Sequence, residues 1–283
     1  MTKMDSLVDR FIEIAVAEDT GDGDHSSLSC IPRQQVGAAS LIVKEDAVIA
    51  GIGAAIRVFH KIDERIGVKV KITDGETVKK GDIAFIVEGP VHSILRSERL
   101  VLNILQRMSG IATQTRKYAD RLAGLKTKVL DTRKTSPGMR FLEKEAVRLG
   151  GGENHRMGLY DMIMLKDNHI DFAGGIKNAI SRAIEYLDET GKDLPVEIET
   201  RGLDDVRQVL EKGGVQRIMF DNFTVDMTSD AVKMVDGSVE TESSGGITLE
   251  NIRSYAECGV DYVSVGALTH QVKGVDLSLK AFF

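Results

Sequence analysis

The sequence predicts an α/β protein whose C-terminal part is a parallel βα barrel, and three observations predict it. Beyond about residue 115, apolar strand-like runs alternate with amphipathic helical stretches, the pattern of βαβ units feeding a parallel sheet. Polar or glycine positions close those runs: Arg133, Lys166, Glu199, Asp221, Ser244 and Gly266. From Glu199 onward they recur every 22 or 23 residues, the length of one βα unit. Six strand runs, finally, favour a barrel over a sandwich. In such a barrel the C-terminal strand ends share one mouth, where these folds place their chemistry.

The elements follow in chain order. The opening MTKMDSLVDRFIEIAVAED lacks the apolar run of a signal peptide and reads as an amphipathic helix burying Leu7, Phe11, Ile14 and Ala15. ASLIVKEDAVIAG reads as a strand pair and AAIRVFHKID as a short helix. The stretch from VKVKITDG to GPVHSILR alternates strands with turns at Asp74-Gly75, Lys80-Gly81 and Gly89-Pro90. A long helix then spans 97–122, with Leu100, Ile104, Leu105, Met108, Ile111 and Ala112 at helical spacing. KVLDT, MIMLKDN, PVEIET, RIMFDN, SVETESSG and YVSVGALT supply the later strands. FLEKEAVRLG, IKNAISRAIEYLDET, LDDVRQVLEKG, TSDAVKMVD and TLENIRSYAECG supply the helices between them.

Composition narrows the function classes. A length of 283 residues suits one large domain or two medium ones. The 42% hydrophobic content is enough to bury a core without staples. The formal net charge of −6 excludes the broad basic field that nucleic acid requires. No run approaches the ~20 apolar residues of a membrane span. Cys30 and Cys258 fit neither a disulfide framework nor a zinc spacing, so they read as buried thiols of a cytoplasmic protein.

Against that acidic background, Arg133, Lys134, His155, Arg156 and Lys166 stand at strand ends or in glycine-rich turns rather than on helix faces. Cations so placed suit a small polyanion: guanidinium pairs bidentately with carboxylate, and lysine meets phosphate as a point charge. Lys166 reads either as an anion ligand or as a Schiff-base lysine. Alternation along VEIET puts Glu197 and Glu199 on one face. With Asp221, Glu199 suits ribose hydroxyls, Mg²⁺ or a developing positive charge. Ser244-Gly245-Gly246 and Val265-Gly266-Ala267 end the last two strands, where barrels often bind phosphate.

DTRKT, the GGG…HR pair, LKDNH, VEIET, DNF, SSGGI and SVGALTH together resemble the quinolinate phosphoribosyltransferase family, also called nicotinate-nucleotide pyrophosphorylase (carboxylating). The resemblance covers nearly the whole chain, including EDTGDGDHSS and DGETVKKGD. It implies a type II phosphoribosyltransferase fold, with an N-terminal α/β sandwich over 1–115 and an open seven-stranded α/β barrel over 116–271. The tail, about 272–283, would return to the first domain. It also implies a homodimer with a shared active site, and leaves open whether dimers assemble into hexamers.

Carried over position by position, the dicarboxylate pocket would contain Arg133, His155, Arg156 and Lys166, with Arg99 reaching it from the partner subunit. Lys134, Ser244, Gly245, Gly246 and Gly266 would hold phosphate, flanked by Thr132, Val265 and Ala267. Glu199 and Asp221 would bind the ribose hydroxyls and the metal-bound sugar, and His270 would have a lesser role at the sugar phosphate. Glu199, Asp221, Lys134 and Lys166 are the implied catalytic residues. Mg²⁺ is the implied cofactor, brought by 5-phosphoribosyl 1-pyrophosphate rather than held by the protein alone. The Glu199–Asp221 interval is one residue longer than in some relatives, an insertion between strands that leaves the assignment intact.

The implied reaction joins quinolinate to that sugar diphosphate, giving nicotinate mononucleotide, pyrophosphate and CO₂. The nearest alternative is a related barrel acting on another heterocyclic acid. More distant ones are a Schiff-base aldolase using Lys166 or Lys134 and a carrier module suggested by DGETVKKGD, which lacks an acceptor lysine in a tight hairpin.

Overall fold

A computed structural model describes residues 3–282, and the chain packs as two units. The elements run α1 (Lys3–Thr20), α2 (His25–Cys30), β1 (Val36–Val43), β2 (Ala47–Val48), α3 (Ile52–Ile62), β3 (Gly67–Val70), β4 (Thr77–Val78), β5 (Ile83–Pro90) and α4 (Val91–Arg121). There follow β6 (Lys128–Leu130), α5 (Arg140–Leu149), β7 (Ile163–Leu165), α6 (Asp167–Ala173), α7 (Ile176–Thr190), β8 (Val196–Thr200), α8 (Leu203–Lys212) and β9 (Arg217–Asp221). The chain closes with α9 (Val225–Val235), β10 (Glu240–Ser244), α10 (Ile252–Glu257), β11 (Tyr262–Ser264), α11 (Ala267–His270) and β12 (Leu277–Phe282). No described helix is long and apolar enough to cross a membrane.

The first unit holds the residues up to 116, the segment 135–151 and those from 268 on. Its sheet is antiparallel, in the order β12-β1-β5-β3, and the tail joins it by pairing Val43 with Leu277 and Leu41 with Leu279. Leu41, Val43, Phe59, Phe85 and Val87 are fully buried beneath it, with Phe59 edge-on to Phe85 at 6.0 Å between centroids. Where the tail crosses α4, a Cβ on Gly110 would stand 2.4 Å from the Lys273 carbonyl, so only glycine permits that approach.

Three expectations need correction here. α1 turns Val8 and Ile12 inward while Leu7 and Ile14 stay exposed, because Asp9–Arg57 and Glu13–Lys61 ion pairs fix which face meets α3. Residues 135–151, expected in the barrel, pack in the first unit. Phe141 meets Phe11 edge-on, and the fully buried Glu143 pairs with Arg107 of α4 at 2.9 Å. Cys30 is exposed and Cys258 half-buried, so burial does not protect both thiols.

The second unit, 117–134 with 152–267, carries a six-stranded parallel sheet in the order β6-β11-β10-β9-β8-β7. Chain order is followed from β7 to β11, and β6 closes beside β11, so the open seam lies between β6 and β7. The expected seventh strand is reduced to one parallel bridge at that seam, Leu130 to Glu153. The glycines just before Glu153 leave no room for a regular strand: Gly151 has φ +93 and the chain turns immediately afterwards. β8 is buried at all five positions, with Val196 and Ile198 on one face and Glu197 and Glu199 on the other. Parallel strands usually read as continuous apolar runs, so this alternation means that the concave face of the sheet is charged.

Candidate active site

Register brings the strand-end residues level. Ser244 pairs with Asp221, and Glu199 lies beside Met219, two residues below on β9. Lys166 follows β7 directly, Arg133 and Lys134 follow β6, and Gly266 follows β11. All of these belong to the second unit, and all lie at C-terminal strand ends.

The end of β6 is tied to the seam segment by Asp131, which is fully buried. Its Oδ1 accepts the His155 backbone N–H at 2.9 Å, and its Oδ2 accepts from the Asn154 amide at 2.6 Å. That fixes His155-Arg156 against Thr132-Arg133, whose loop turns as the Thr132 hydroxyl accepts the Lys134 N–H at 3.1 Å. Arg156 is half-buried and donates to the Met162 carbonyl at 3.3 Å. Burial, and then the nearby charge of Arg133, hold its guanidinium below the ordinary range. The charge of one guanidinium thus weighs against the other, an effect that a dianionic ligand would relieve.

His155 is buried, and its ring is committed to the protein. Nδ1 accepts the Arg156 N–H at 2.6 Å. Nε2 lies 3.0 Å from Glu197 and 3.5 Å from Glu242, both fully buried. Burial alone would lower the ring's pKa, but the two glutamates, close and negatively charged, outweigh it and raise it from 6.5 to about 9. Burial and the charge of Glu242 also raise Glu197, so the His155–Glu197 pair retains a proton at neutral pH. The Arg156 N–H aimed at Nδ1 leaves that proton between Nε2 and Glu197.

Among the described residues, His155, Glu197 and Glu242 also form a group whose donor atoms lie within 4.8 Å of one another, close enough for a metal ion. Arg217, however, already stands 3.2 Å from Glu242 and 3.9 Å from Glu197, and stacks on Tyr262. The cluster is an ion network, not a cation cage.

Nearer the mouth, Lys166 Nζ pairs with Glu199 Oε1, and the Asp167 N–H reaches Glu199 Oε2 at 3.4 Å. The Lys166 N–H donates to His169 Nδ1 at 3.0 Å, which fixes the start of α6. A lysine paired to a carboxylate and 44% exposed is not in the desolvated setting that Schiff-base chemistry needs. Asp221 accepts from Asn222 Nδ2 at 2.9 Å. Asn222 is left-handed at φ 56 and donates its N–H to the Ser244 carbonyl at 2.8 Å. Gly245 has φ +91, and a Cβ there would stand 2.2 Å from Asn222 Oδ1. Gly246, at φ +62, faces open space.

The structure brings Thr132, Arg133, Lys134, His155, Arg156, Lys166, Glu199, Asp221, Ser244, Gly245, Gly246, Val265, Gly266 and Ala267 to strand ends of one unit. Arg99 lies exposed on α4 in the first unit, and His270 is exposed at the end of α11, also in the first unit. The helix expected right after Gly246 starts only at Ile252, because Thr248 and Asn251 first close a turn. Any phosphate site at Ser244–Gly246 therefore rests on loop N–H groups.

Sequence reading missed Asp131, Asn222, Arg217 and Glu242. Asn222 was signalled by DNF, since asparagine tolerates the left-handed region. Arg217 and Glu242 were signalled by charges at alternate strand positions.

Comparison with known proteins covers nearly the whole chain. A model described as the quinolinate phosphoribosyl transferase N-terminal domain matches residues 24–109, and one for the C-terminal domain matches 111–280. The chain is 44% identical to quinolinate phosphoribosyltransferase (decarboxylating) 1b of Nicotiana tabacum, across 95% of this chain and 81% of that protein. It is likewise 44% identical, with the same coverage of each, to the chloroplastic nicotinate-nucleotide pyrophosphorylase (carboxylating) of Arabidopsis thaliana. The nicotinate-nucleotide pyrophosphorylase structure from Francisella tularensis superposes with a TM-score of 0.92 at 37% identity, covering 100% of this chain and 98% of that one.

Proposed function

The chain belongs to the quinolinate phosphoribosyltransferase family, and from that premise we propose that it transfers phosphoribosyl from 5-phosphoribosyl 1-pyrophosphate to quinolinate with loss of CO₂. The product, nicotinate mononucleotide, belongs to NAD biosynthesis, and the activity is that of a pentosyltransferase. The observation that carries this reading is the guanidinium pair of half-buried Arg156 and exposed Arg133, held at a barrel mouth that also gathers Lys166 and two glycine loops.

The chemistry follows from the parts. Arg133, Arg156 and Lys166 hold the two carboxylates so that the pyridine nitrogen faces C1 of the sugar, which turns a two-body encounter into a positioned one. Lys134 and the N–H groups of Ser244–Gly246 and Gly266 bind phosphate. As the C1–O bond to pyrophosphate breaks and the nitrogen lone pair bonds to C1, positive charge develops on the ribose beside Glu199 and Asp221. The nitrogen is then cationic. The bond from C2 to its carboxylate breaks, CO₂ leaves, and the electron pair remains on C2 until a proton replaces it. No covalent lysine intermediate is required.

Mg²⁺ would enter bound to the diphosphate and neutralise the leaving group. Its donor chemistry fits one or two carboxylates plus substrate oxygens. Asp221 suits that better than Glu199, whose oxygens already meet Lys166 and Asp167. Arg99 of a second copy would complete the pocket, so the working assembly is a homodimer. The cytoplasm is the proposed compartment, on the free thiols Cys30 and Cys258.

Nicotinate, which lacks one of the two carboxylates, tests the reading directly. Its use in place of quinolinate is expected to lower kcat/KM by at least about 30-fold, the scale of one lost charge partner. Equal use of both acids would reassign the substrate to a monocarboxylate.

A further inference from the structure

We propose that Glu197 and Glu242 are positioning residues for the dicarboxylate pocket: from inside the barrel they fix the His155 ring, and the ring in turn sets Arg156. This rests on the reading of the pocket given above and changes the part His155 plays in it.

The His155 side chain is only 5% exposed. Its Nε2 faces Glu197 of β8 and Glu242 of β10, while its Nδ1 takes the Arg156 N–H and its own N–H is held by Asp131 at the end of β6. Both ring nitrogens therefore meet protein groups, and what the ring does is pin the backbone from which the Arg156 side chain departs. A further charged group against the glutamates is Arg217 of β9. Two carboxylates fully buried around one guanidinium carry a desolvation cost that apolar residues of similar volume would not. What the glutamates supply and leucine could not is an acceptor at Nε2. That acceptor keeps Nδ1 free of a proton and available to the Arg156 N–H.

The sequence motif HR thereby gains a division of labour. Arg156 touches the substrate and His155 aims it.

Glu197→Leu, with Glu197→Gln beside it, tests the idea on the full-length protein. The leucine variant is expected to raise the KM for quinolinate by about tenfold or more while the KM for 5-phosphoribosyl 1-pyrophosphate stays within about twofold. Glutamine, which keeps an acceptor oxygen, is expected to restore most of the loss. An unchanged quinolinate KM in folded Glu197→Leu overturns the proposal, as do parallel rises in both KM values, which would mark a merely structural role.

Should Glu197→Leu not fold, His155→Asn and His155→Leu carry the test. Asparagine retains an acceptor near Nδ1 and must keep the lower quinolinate KM, and equal values overturn the account. A parent protein that binds the sugar diphosphate but does not use quinolinate would instead sink the functional reading, and this inference with it.

Discussion

Replacing Gly245 by alanine isolates the glycine loop from the rest of the mouth. At φ +91 a side chain costs about 1–2 kcal/mol in backbone strain alone. The new Cβ would also lie 2.2 Å from Asn222 Oδ1 and 3.0 Å from the Asn222 backbone nitrogen. Asn222 must then move and release Asp221, a charge-assisted hydrogen bond worth about 1.5–3 kcal/mol. The total, about 3 kcal/mol or more, corresponds to roughly a 150-fold loss of kcat/KM for 5-phosphoribosyl 1-pyrophosphate.

Gly246→Ala is the control. Its φ is +62 and its Cβ meets nothing within 4 Å, so only the strain remains, about 1 kcal/mol and roughly fivefold. Steady-state kinetics with the sugar diphosphate varied at saturating quinolinate, together with thermal melts, measure both. Equal effects at the two glycines would refute the coupling of the loop to Asp221.

Three further outcomes follow from the same geometry. Lys166→Ala leaves Glu199 without its cation. It should lower kcat/KM for quinolinate by about 30-fold or more, and borohydride should trap no adduct in the parent protein; a trapped lysine would restore the aldolase reading. Glu143→Ala takes the buried carboxylate from Arg107, which keeps the Thr269 carbonyl, and should destabilise the protein by about 3 kcal/mol, read in urea unfolding; a loss under about 1 kcal/mol would deny the pair its role in docking α5. The proton retained by the His155–Glu197 pair contributes stability that is complete below about pH 6.5 and is lost as pH rises through about 9. Urea midpoints between about pH 6 and about pH 10 should therefore fall in the parent and stay flatter in His155→Asn.

The alternation of strands and helices was legible because periodicity reports which face is buried, and the strand ends could be located from the polar residue that stops each apolar run. What escaped depends on partners distant in sequence. Nothing local shows that Val8 and Ile12 rather than Leu7 and Ile14 meet α3, since the two stripes differ by a small rotation and Arg57 and Lys61 decide between them. Nor does α5 announce that Phe141 and Glu143 belong with Phe11 and Arg107. α2, α6 and α11 are too short for a periodic signal.

At the site, residue types and spacing revealed the cations and acids. The work of His155, by contrast, depends on Glu242 and Asp131, on strands that pairing alone brings near. VEIET, RIMFD and ETESS hold the clue, charges at alternate positions of parallel strands, and only the register turns that clue into one network.

Following nicotinate mononucleotide and CO₂ together, from purified protein given quinolinate, 5-phosphoribosyl 1-pyrophosphate and Mg²⁺, tests the central claim most directly. The account predicts equal amounts of the two products, each dependent on all three additions. Protein that is folded and binds the sugar diphosphate yet forms neither product would contradict it.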